Sequence, residues 1–233
     1  MNNMKTLTII ALLASLTGKS VLAQSSFQNL NFEQADPISA GNPDYPNYVT
    51  VASALPDWTV TTVAGQQTEI SFNDPSTGEE AVVLIGPGNN FGLVPLDGNY
   101  SVLLQGTYPP GYAAISQTGL IPAGTQSLTF EAEQVLNPPT GSLELEIGDQ
   151  VVPFSAVGTG ANYTLYGANI SAWDGDTEQL MFTALQDSSS QNNWELDDIK
   201  FSTTVLTPEP NMVALSAIGV LLFGARKWFA RRS

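Results

Sequence analysis

The stretch Ser127-Leu128-Thr129-Phe130-Glu131-Ala132-Glu133 alternates polar with apolar residues. Because successive side chains of a β-strand point to opposite faces, Leu128, Phe130 and Ala132 share one face and the glutamates share the other. A second run, Ser142–Ile147, repeats the alternation, with apolar residues at every second position. The two runs predict consecutive strands that are each buried on one side.

The same kind of pattern continues through the rest of the body. Short apolar or alternating runs are separated by Gly, Pro, Asn and Asp about every 8 to 12 residues, which is typical of a β-sandwich. Gly148-Asp149 between two runs predicts a tight hairpin turn. The sequence therefore predicts an all-β fold, an antiparallel β-sandwich. Its further strands are predicted at Gln28–Glu33, Trp58–Val63, Thr68–Phe72, Ala81–Ile85, Tyr100–Gln105, Ala113–Gln117, Val151–Ser155, Tyr163–Ile170, Gln179–Ala184 and Trp194–Ser202.

The amino-terminal end has the order of a secretory signal. Lys5 gives a positive start, and Leu7–Leu16 is an apolar stretch long enough for a signal helix. Small or aliphatic residues then precede the expected cleavage between Ala23 and Gln24. We therefore expect residues 1–23 to be a signal peptide.

The carboxyl-terminal end combines an apolar run with positive charge. Met212–Ala225 contains about 14 residues, short of the roughly 20 that cross a hydrocarbon core. Basic residues after a helix favour a cytoplasmic end. This order predicts a short transmembrane helix that anchors the chain weakly. The basic residues are Arg226, Lys227, Arg231 and Arg232.

A polar tripeptide, Pro208-Glu209-Pro210, precedes this helix. The tripeptide, the short helix and the basic cluster together resemble a PEP-CTERM sorting signal over about residues 207–232. The resemblance implies a Gram-negative bacterium that makes exopolysaccharide. It also implies that a membrane protease-transpeptidase, the exosortase, recognises Pro208, Glu209 and Pro210 and cuts near them. An inner-membrane-anchored precursor would then become a cell-surface or extracellular-matrix protein. The alternative is a plain C-terminal membrane anchor.

Charge is divided unevenly between the ends and the body, residues 24–207. The chain has 7 basic and 22 acidic residues. The body holds one base, Lys200, and every acid except Glu209, which gives it a net charge of −20. Such a surface repels nucleic acid and attracts cations. The chain has no cysteine and no histidine, which excludes thiol and histidine-based catalysis and the usual zinc ligands.

Four short elements of the body share the pattern of a known module. Together they resemble galactose-binding-like jelly-roll modules, of the kind that accompany carbohydrate-active proteins, over most of residues 27–203. The resemblance implies a jelly-roll domain at 24–203, a tether at 204–207 and the sorting segment at 208–233. The elements are Asn31-Phe32-Glu33, Leu55-Pro56-Asp57-Trp58, Ile115-Ser116-Gln117-Thr118 and Leu196-Asp197-Asp198-Ile199-Lys200-Phe201-Ser202.

Two carboxylates in these elements, Glu33 and Asp198, are candidate ligands of a structural Ca²⁺. If Phe32 and Ile199 point into the core, both carboxylates leave one edge of the sandwich, from its first and last strands. Calcium prefers six to eight oxygen ligands from carboxylates and carbonyls. The resemblance implies such an ion between these strands. The alternative is a pair of solvated carboxylates.

Loop tyrosines are the candidate glycan-binding residues. Tyr45, Tyr48, Tyr108 and Tyr112 lie in segments rich in Pro, Asn and Gly. Tyrosine rings on loops can stack against sugar rings while neighbouring polar groups bond the hydroxyls. The alternative is that these rings pack over the ends of the sandwich.

Two further acidic patterns are interpreted structurally. The outward glutamates of the two opening runs would repel one another if those strands pair as a hairpin, and a solvated face is the favoured interpretation. Asp174-Gly175-Asp176 starts like a calcium loop, but no glutamate follows at EF-hand spacing, so a turn is predicted there. The outward glutamates are Glu131, Glu133, Glu144 and Glu146.

The sequence thus favours an exported, non-enzymatic surface or matrix protein that associates with exopolysaccharide. Its expected partners are the exosortase and, before processing, the membrane; nucleic acid is excluded. Two alternatives stay open. One is a secreted polysaccharide-active enzyme, since glycosidases need only a pair of carboxylates. The other is a purely structural surface subunit stabilised by calcium.

Overall fold

The structure is a computed structural model that describes residues 26–76, 81–107, 111–135, 141–185 and 192–206. Within these ranges the chain forms fourteen β-strands, a single-turn α-helix and a 3₁₀ turn. The all-β prediction is confirmed. The elements are β1 (Tyr48–Thr50), α1 (Val51–Ala54), β2 (Thr59–Thr62), β3 (Gly65–Gln67), β4 (Glu69–Phe72), β5 (Ala81–Ile85), β6 (Ser101–Gly106), β7 (Ala113–Leu120), β8 (Ser127–Gln134), β9 (Leu143–Ile147), β10 (Gln150–Val151), β11 (Phe154–Thr159), β12 (Thr164–Asn169), the 3₁₀ turn (Ser171–Trp173), β13 (Thr177–Ala184) and β14 (Asn192–Ser202).

The strands form two sheets that pack as a sandwich. One sheet has the order β1-β4-β5-β6-β14-β8-β12-β11, and the other has the order β10-β9-β13-β7-β2-β3. Among the strand pairs of the described ranges, β4 with β5 is parallel and the rest are antiparallel. The expectation of a wholly antiparallel sandwich is corrected at this pair. The antiparallel partner of β5 is β6, so β4 pairs with the other edge of β5, in the parallel direction.

The core lies between the sheets and is built from the apolar face of each strand. Phe130 of β8 and Phe182 of β13 are fully buried, and their ring centroids lie 5.0 Å apart at an interplanar angle of 72°. The two strands belong to different sheets, so this edge-to-face contact joins them. Such aromatic pairs contribute about 0.5–1.5 kcal/mol beyond the area they bury. Leu128, Leu145 and Ile147 are buried in the same cluster, as the alternation predicts.

The consecutive strands β8 and β9 do not pair with each other. β8 lies between β14 and β12 in the larger sheet, and β9 lies between β10 and β13 in the smaller one. The glutamates of the two strands therefore belong to different faces of the molecule, and the repulsion expected of a hairpin does not arise between them. The sequence alternation determines which side of a strand is apolar but not which strand becomes its neighbour.

The first predicted strand, Gln28–Glu33, is wrong. Residues 28–33 form turns outside the sheets, and Asn29 and Phe32 have φ angles of 49° and 55°, in the left-handed region that strands do not use. The Asn29 side chain supports this path by accepting the Gln34 N–H at 3.0 Å. The strands β1 and β3 were not predicted, since each has only three residues.

Two turns follow their sequence signals. Gly148 and Asp149 connect β9 to β10, with φ angles of 55° and 59°. Two consecutive positive φ angles match the two-residue hairpin turn whose twist suits the flanking strands. Asp174-Gly175-Asp176 follows the 3₁₀ turn, and Asp174 Oδ1 accepts the N–H groups of Gly124 and Thr125. Both turn predictions are confirmed.

A loop covers part of the outer face of the eight-stranded sheet. Val83 and Ile85 of β5 and Leu103 of β6 are fully buried outside the main core, where they pack against Leu93 of the loop 86–99. Outer faces of sandwich strands are ordinarily solvated. Polar residues that share this face are therefore removed from water as well.

The predicted transport segments, residues 1–23 and 208–233, lie outside the described residues. Their helices, the cleavage between Ala23 and Gln24 and the tripeptide at 208–210 therefore stay predictions. Among the residues that the structure does describe, no helix is long and apolar enough to cross a membrane.

Candidate functional site

The outer face of the six-stranded sheet carries a groove centred on β13 and β7. Met181 lies opposite Glu146 of β9 on one side and Ser116 of β7 on the other. The next outward row follows the same registers, with Thr183 between Glu144 and Ala114. The alternation of the strands thus aligns two rows of outward side chains across the sheet.

Small residues occupy outward positions of β7, the strand between β13 and β2. Ala114 and Ser116 point outward by register, yet only 2% and 6% of their surfaces are exposed. Larger side chains on the adjacent strands rise above them. A strand of small residues between strands of larger ones produces a depression in an otherwise flat sheet face.

We refer to this depression as the sheet groove, and its volume is about 340 Å³. Tyr112, just before β7, and Thr61 of β2 line the groove together with the two glutamates of β9. The lining therefore combines an aromatic ring, apolar side chains, hydroxyl groups and carboxylates, which is the usual mixture in sites for small organic ligands. The lining residues are Thr61, Tyr112, Glu144, Glu146, Met181, Thr183 and Leu185.

The two glutamates give the sheet groove an acidic wall. Glu144 and Glu146 are half-buried and project from the same side of β9. Burial, the charge of Glu144 and the charge of Asp149 raise the pKa of Glu146 above its ordinary value. The two carboxylates of the wall therefore lie close together and are partly shielded from water, so a positive group beside them would be stabilised.

The structure separates the predicted glycan-binding tyrosines. Tyr112 lines the sheet groove, whereas Tyr48 at the start of β1 lines a different cavity of about 190 Å³. The Tyr45 ring lies 5.0 Å from the Tyr48 ring, and 56% of its surface is exposed. Tyr108 lies outside the described residues. Among the three tyrosines that the structure describes, Tyr48 and Tyr112 thus line separate cavities, and the cavity of Tyr112 is the larger of these two.

The predicted metal ligand Glu33 acts as an acceptor for a turn. Its Oε1 accepts the N–H groups of Asn99 at 2.7 Å and Tyr100 at 2.9 Å, and its Oε2 accepts Nδ2 of Asn99 at 2.9 Å. Burial opposes the charge of Glu33, but these hydrogen bonds outweigh it and lower the pKa of this carboxyl. The carboxylate closes over Gly98, whose φ angle is 58° and where a Cβ atom would collide with it. Glu33 thereby holds the turn that leads into β6.

The other predicted ligand, Asp198, lies at a β-bulge in the middle of the sheet. The pairing of β14 with β8 shifts between Asp197 and Lys200, and Asp198 has a φ of 47°. Asp and Asn tolerate this conformation better than most residues. Its Oδ2 forms an ion pair with Lys200 Nζ. The expectation that Glu33 and Asp198 leave a shared strand edge is corrected, because Glu33 is in a turn and β14 is a central strand.

Two buried carboxylates lie beside this bulge, of which the sequence singled out Asp197 only as a weaker candidate ligand and Glu195 not at all. Glu195 and Asp197 of β14 are each 1% exposed, and Asp197 lies opposite Glu131 of β8. Burial raises the pKa of Asp197 to about 8, although its oxygens accept the N–H groups of Asp97 and Asp198. These side chains point outward by alternation, but the loop 86–99 covers their face. The sequence around β14 does not predict this burial, because the covering loop 86–99 lies about a hundred residues earlier in the chain.

One oxygen in this region has no hydrogen-bond partner in the structure. Glu131 is 6% exposed, and its Oε2 is buried without a donor. Burial and the charges of Asp198 and Asp97 raise the pKa of Glu131, against a hydrogen bond from Tyr163. We call Glu33, Asp97, Glu131, Asp197 and Asp198 the acidic junction. No group of three or more acidic side chains within the described ranges is arranged to hold a metal ion.

Glu195 lies at a separate cavity beneath the covering loop. The cavity has a volume of about 210 Å³ and is lined by Leu93, Asn162 and Glu195, among others. Burial, together with the charge of Glu133, raises the pKa of Glu195 to about 7, although the Ser101 hydroxyl donates to its Oε1. A carboxyl group with such a pKa can donate or accept a proton near neutral pH.

Three of the four elements that carry the jelly-roll resemblance contact residues 28–32, a segment that includes the start of the remaining element. Trp58 Nε1 donates to the Asn29 carbonyl at 2.9 Å, and its ring lies 5.7 Å from that of Phe32. The Gln117 side chain forms two hydrogen bonds with the Gln28 backbone. The Ile199 N–H donates to the Leu30 carbonyl. Phe32 and Ile199 are buried in the core, as expected.

Comparison with known proteins adds only weak structural likenesses. The sequence matches no family model and no curated protein. The secreted serine protease VesC from Vibrio cholerae is 13% identical over 49% of this chain and 23% of that chain, with a TM-score of 0.33. The enzymatically active domain of tailspike protein 4 from bacteriophage CBA120 is 15% identical over 74% of this chain and 21% of that chain, with a TM-score of 0.36. This chain thus spans under a quarter of each protein, and neither likeness bears on function.

Proposed function

We propose that this chain is an exported, non-enzymatic cell-surface or extracellular-matrix protein whose sandwich domain associates with exopolysaccharide. The observation that carries the proposal is the sheet groove, where the Tyr112 ring lines one cavity together with apolar and polar side chains. Glycans are recognised by aromatic faces that cover their rings and by polar groups that bond their hydroxyls. The groove offers both kinds of group on one sheet face.

Retention on immobilised glycans tests this proposal directly. Tyr112→Ala should weaken retention of a bound polysaccharide by about tenfold or more, because the variant loses the aromatic surface of the groove. Tyr112→Phe should retain binding, and Tyr45→Ala is the matched control on a tyrosine outside the groove. Equal retention of all three variants would show that the groove is not the glycan site.

The destination of the protein is the second part of the proposal. The N-terminal signal at 1–23 and the sorting segment at 208–233 support export, an inner-membrane-anchored precursor and processing by an exosortase in a Gram-negative bacterium. Intact-mass analysis of the native exported protein would locate both cuts at once. A Pro208→Ala/Pro210→Ala variant should stay full-length in the membrane. If wild type and variant are equally uncut, the sorting assignment is wrong.

The domain is proposed to be a galactose-binding-like jelly roll. Support comes from the contacts by which Trp58, Gln117 and Ile199, one from each of three characteristic elements, reach residues 28–32 at the start of the domain. The two-sheet arrangement accords with such a module. An experimental structure with the bound glycan would test both the topology and the position of the ligand.

A polysaccharide-active enzyme is the second candidate. Glu195 lies at a cavity, and burial raises the pKa of its carboxyl group to about 7. Its opposite residue on β8 is Glu133, so a carboxylate pair is present in register. A glycosidase requires one carboxyl group that donates a proton and one that is ionised. Release of reducing sugar from the matrix of the host, lost in Glu195→Gln, would favour this candidate over the binding protein. No release across a panel of polysaccharides would exclude it.

We also propose that the acidic junction takes a structural Ca²⁺, as expected for Glu33 and Asp198. The Glu33 oxygens already accept three N–H donors, so Glu33 does not fit the role of a ligand as it stands. The buried, unpartnered Oε2 of Glu131 does fit it. Glu131 and Asp198 are therefore the side chains that would hold the ion. The ion would supply positive charge beside Glu131 Oε2, which has no donor, and would add to the charge that Lys200 already brings to Asp198.

A further inference from the structure

The two sides of the sheet groove differ in chemistry, and this difference bears on the kind of glycan it accepts. Glu144 and Glu146 stand along β9 on one side, while Tyr112 and Thr61 stand on the other. Met181 and Leu185 contribute apolar surface between the walls. A ligand in the groove therefore meets a ring on one side and two carboxylates on the other.

The chain itself supplies no positive charge to the acidic wall. The only base in residues 24–207 is Lys200, which lies on β14 of the other sheet and pairs with Asp198. Around Glu146 the neighbouring charges are those of Glu144 and Asp149, and both raise its pKa together with burial. A partly buried pair of like charges is destabilising unless a cation approaches it.

Resting on the proposed glycan-binding function, we infer that the sheet groove selects polysaccharides that carry protonated amino groups, such as amino sugars without an N-acetyl group. The carboxylates of Glu144 and Glu146 would pair with the ammonium groups of the sugar. The Tyr112 ring would offer its negative face to the same cationic ligand.

Other ligand classes fit the groove less well. A polyuronate would bring carboxylates against Glu144 and Glu146, and the repulsion between like charges would weaken its binding. A divalent ion alone would need six to eight oxygen ligands, whereas the lining offers two carboxylates beside apolar side chains. A neutral glycan would leave the charges of the wall unpaired.

Binding of matched oligosaccharides by the whole sandwich domain tests the inference. The probes are glucosamine oligomers, fully N-acetylated oligomers of the same length, and galacturonate oligomers of that length, at a pH where the amine is protonated. We expect the glucosamine oligomer to bind at least about tenfold more tightly than its acetylated counterpart. The galacturonate oligomer should bind most weakly. Raising the salt concentration should reduce the preference, because it screens exposed charges.

Variants separate the groove from the general acidity of the domain. Glu144→Gln/Glu146→Gln should abolish the preference for the amino form, so that the amino and acetylated oligomers bind the variant with equal affinity. Asp36→Asn/Asp176→Asn removes two exposed charges outside the groove and should retain the preference. If this control loses it equally, the attraction comes from net charge, and the inference is wrong.

The outcomes also distinguish the inference from the proposed function. If amino and acetylated oligomers bind equally and Tyr112→Ala weakens both, the groove is a glycan site without charge selection, and only the inference fails. If no oligosaccharide binds and Tyr112→Ala changes nothing on the natural exopolysaccharide, both fail. Circular dichroism of each variant checks that the sandwich is intact.

Discussion

At the scale of single residues, Glu33 shows two different roles for one carboxylate. The sequence pattern predicts that it binds a metal ion, whereas in the structure it accepts hydrogen bonds from a turn. Its oxygens accept two backbone N–H groups and one side-chain N–H of a single turn. Three donors of this kind fix the approach to β6 from a segment that is itself not a strand. A carboxylate can therefore match a metal-binding sequence pattern while its oxygens accept hydrogen bonds instead of binding a metal ion.

Removing that carboxylate should destabilise the domain. Glu33→Ala leaves the N–H groups of Asn99 and Tyr100 without an acceptor, and hydrogen bonds to charged groups contribute about 1.5–3 kcal/mol. We expect a lower urea midpoint at an unchanged m-value. Gln34→Ala, which alters the exposed neighbour, should stay within about 0.5 kcal/mol of wild type. Equal midpoints for the two variants would contradict the role of Glu33 in the turn.

A second prediction at this scale concerns pH and Glu195. Burial raises the pKa of Glu195 to about 7 in the native state, whereas the pKa is 4.5 in the unfolded chain. Because the native state binds more protons in that window, stability should fall as pH rises from 4.5 to about 7. Asp197, with a native pKa of about 8, acts in the same direction. Each proton contributes a slope of up to about 1.4 kcal/mol per pH unit.

Glu195→Gln tests this dependence, because the amide keeps an oxygen for the Ser101 hydroxyl and cannot ionise. We expect the variant to be more stable than wild type above pH 7 and to show a shallower loss of stability between the two pKa values. Asp176→Asn, on an exposed loop, should leave the slope as in wild type. A slope unchanged by Glu195→Gln would show that this carboxyl group does not titrate in the window.

At the scale of elements, the position of β6 depends on a close approach to the other sheet. A Cβ atom on Gly106 would lie 2.5 Å from the Leu185 carbonyl oxygen and 2.8 Å from that of Ala184. Both are backbone atoms at the end of β13, so they cannot rotate away. Gly106 therefore permits the ends of two strands from different sheets to meet.

Gly106→Ala should therefore destabilise the sandwich by about 1–3 kcal/mol, the usual range for added volume in a packed site. Thermal or urea unfolding provides the measurement. Gly158→Ala on β11 is the matched control, since its Cβ would meet only the Leu165 side chain, at an ordinary 3.6 Å. If both variants unfold alike, the approach of β6 to β13 is looser than the structure shows.

At the scale of the whole molecule, the balance of charge governs stability. The body carries one base against 21 acids, and part of that charge is buried in the acidic junction. Self-repulsion of this kind destabilises the compact state. With no cysteine in the chain, disulfides do not offset it. Packing of the core therefore has to offset this repulsion, and the proposed Ca²⁺ would add to its effect.

Calcium should raise the melting temperature by linkage, and a chelator should reverse the gain. Sodium and magnesium salts at matched ionic strength separate specific binding from screening. Glu131→Gln should reduce the calcium-specific gain, while Glu33→Gln should retain it if Glu33 serves only the turn. Identical melting curves with calcium and with chelator would show that the acidic junction does not bind calcium.

The sequence determined those features that depend on local alternation. Most strands, the inward faces of β8 and β9 and the hairpin turn at Gly148 and Asp149 follow from the period of two and from turn chemistry. The segment 28–33 shows the limit, because its alternation of apolar residues suits a strand while the Asn29 and Phe32 backbones adopt positive φ angles. Hydrogen bonds from distant residues select that conformation, and no local pattern reports them.

The order of the strands and the burial of polar side chains depend on contacts between distant parts of the chain. The sequence alone separates Glu131 and Asp197 by more than sixty positions, yet β8 and β14 bring them opposite each other under the loop 86–99. It likewise gives no sign that Tyr112 and the glutamates of β9 share a groove, since β13 lies between their strands. Alternation determines the face of each strand, but sheet order depends on packing across the whole core, which no short stretch of sequence contains.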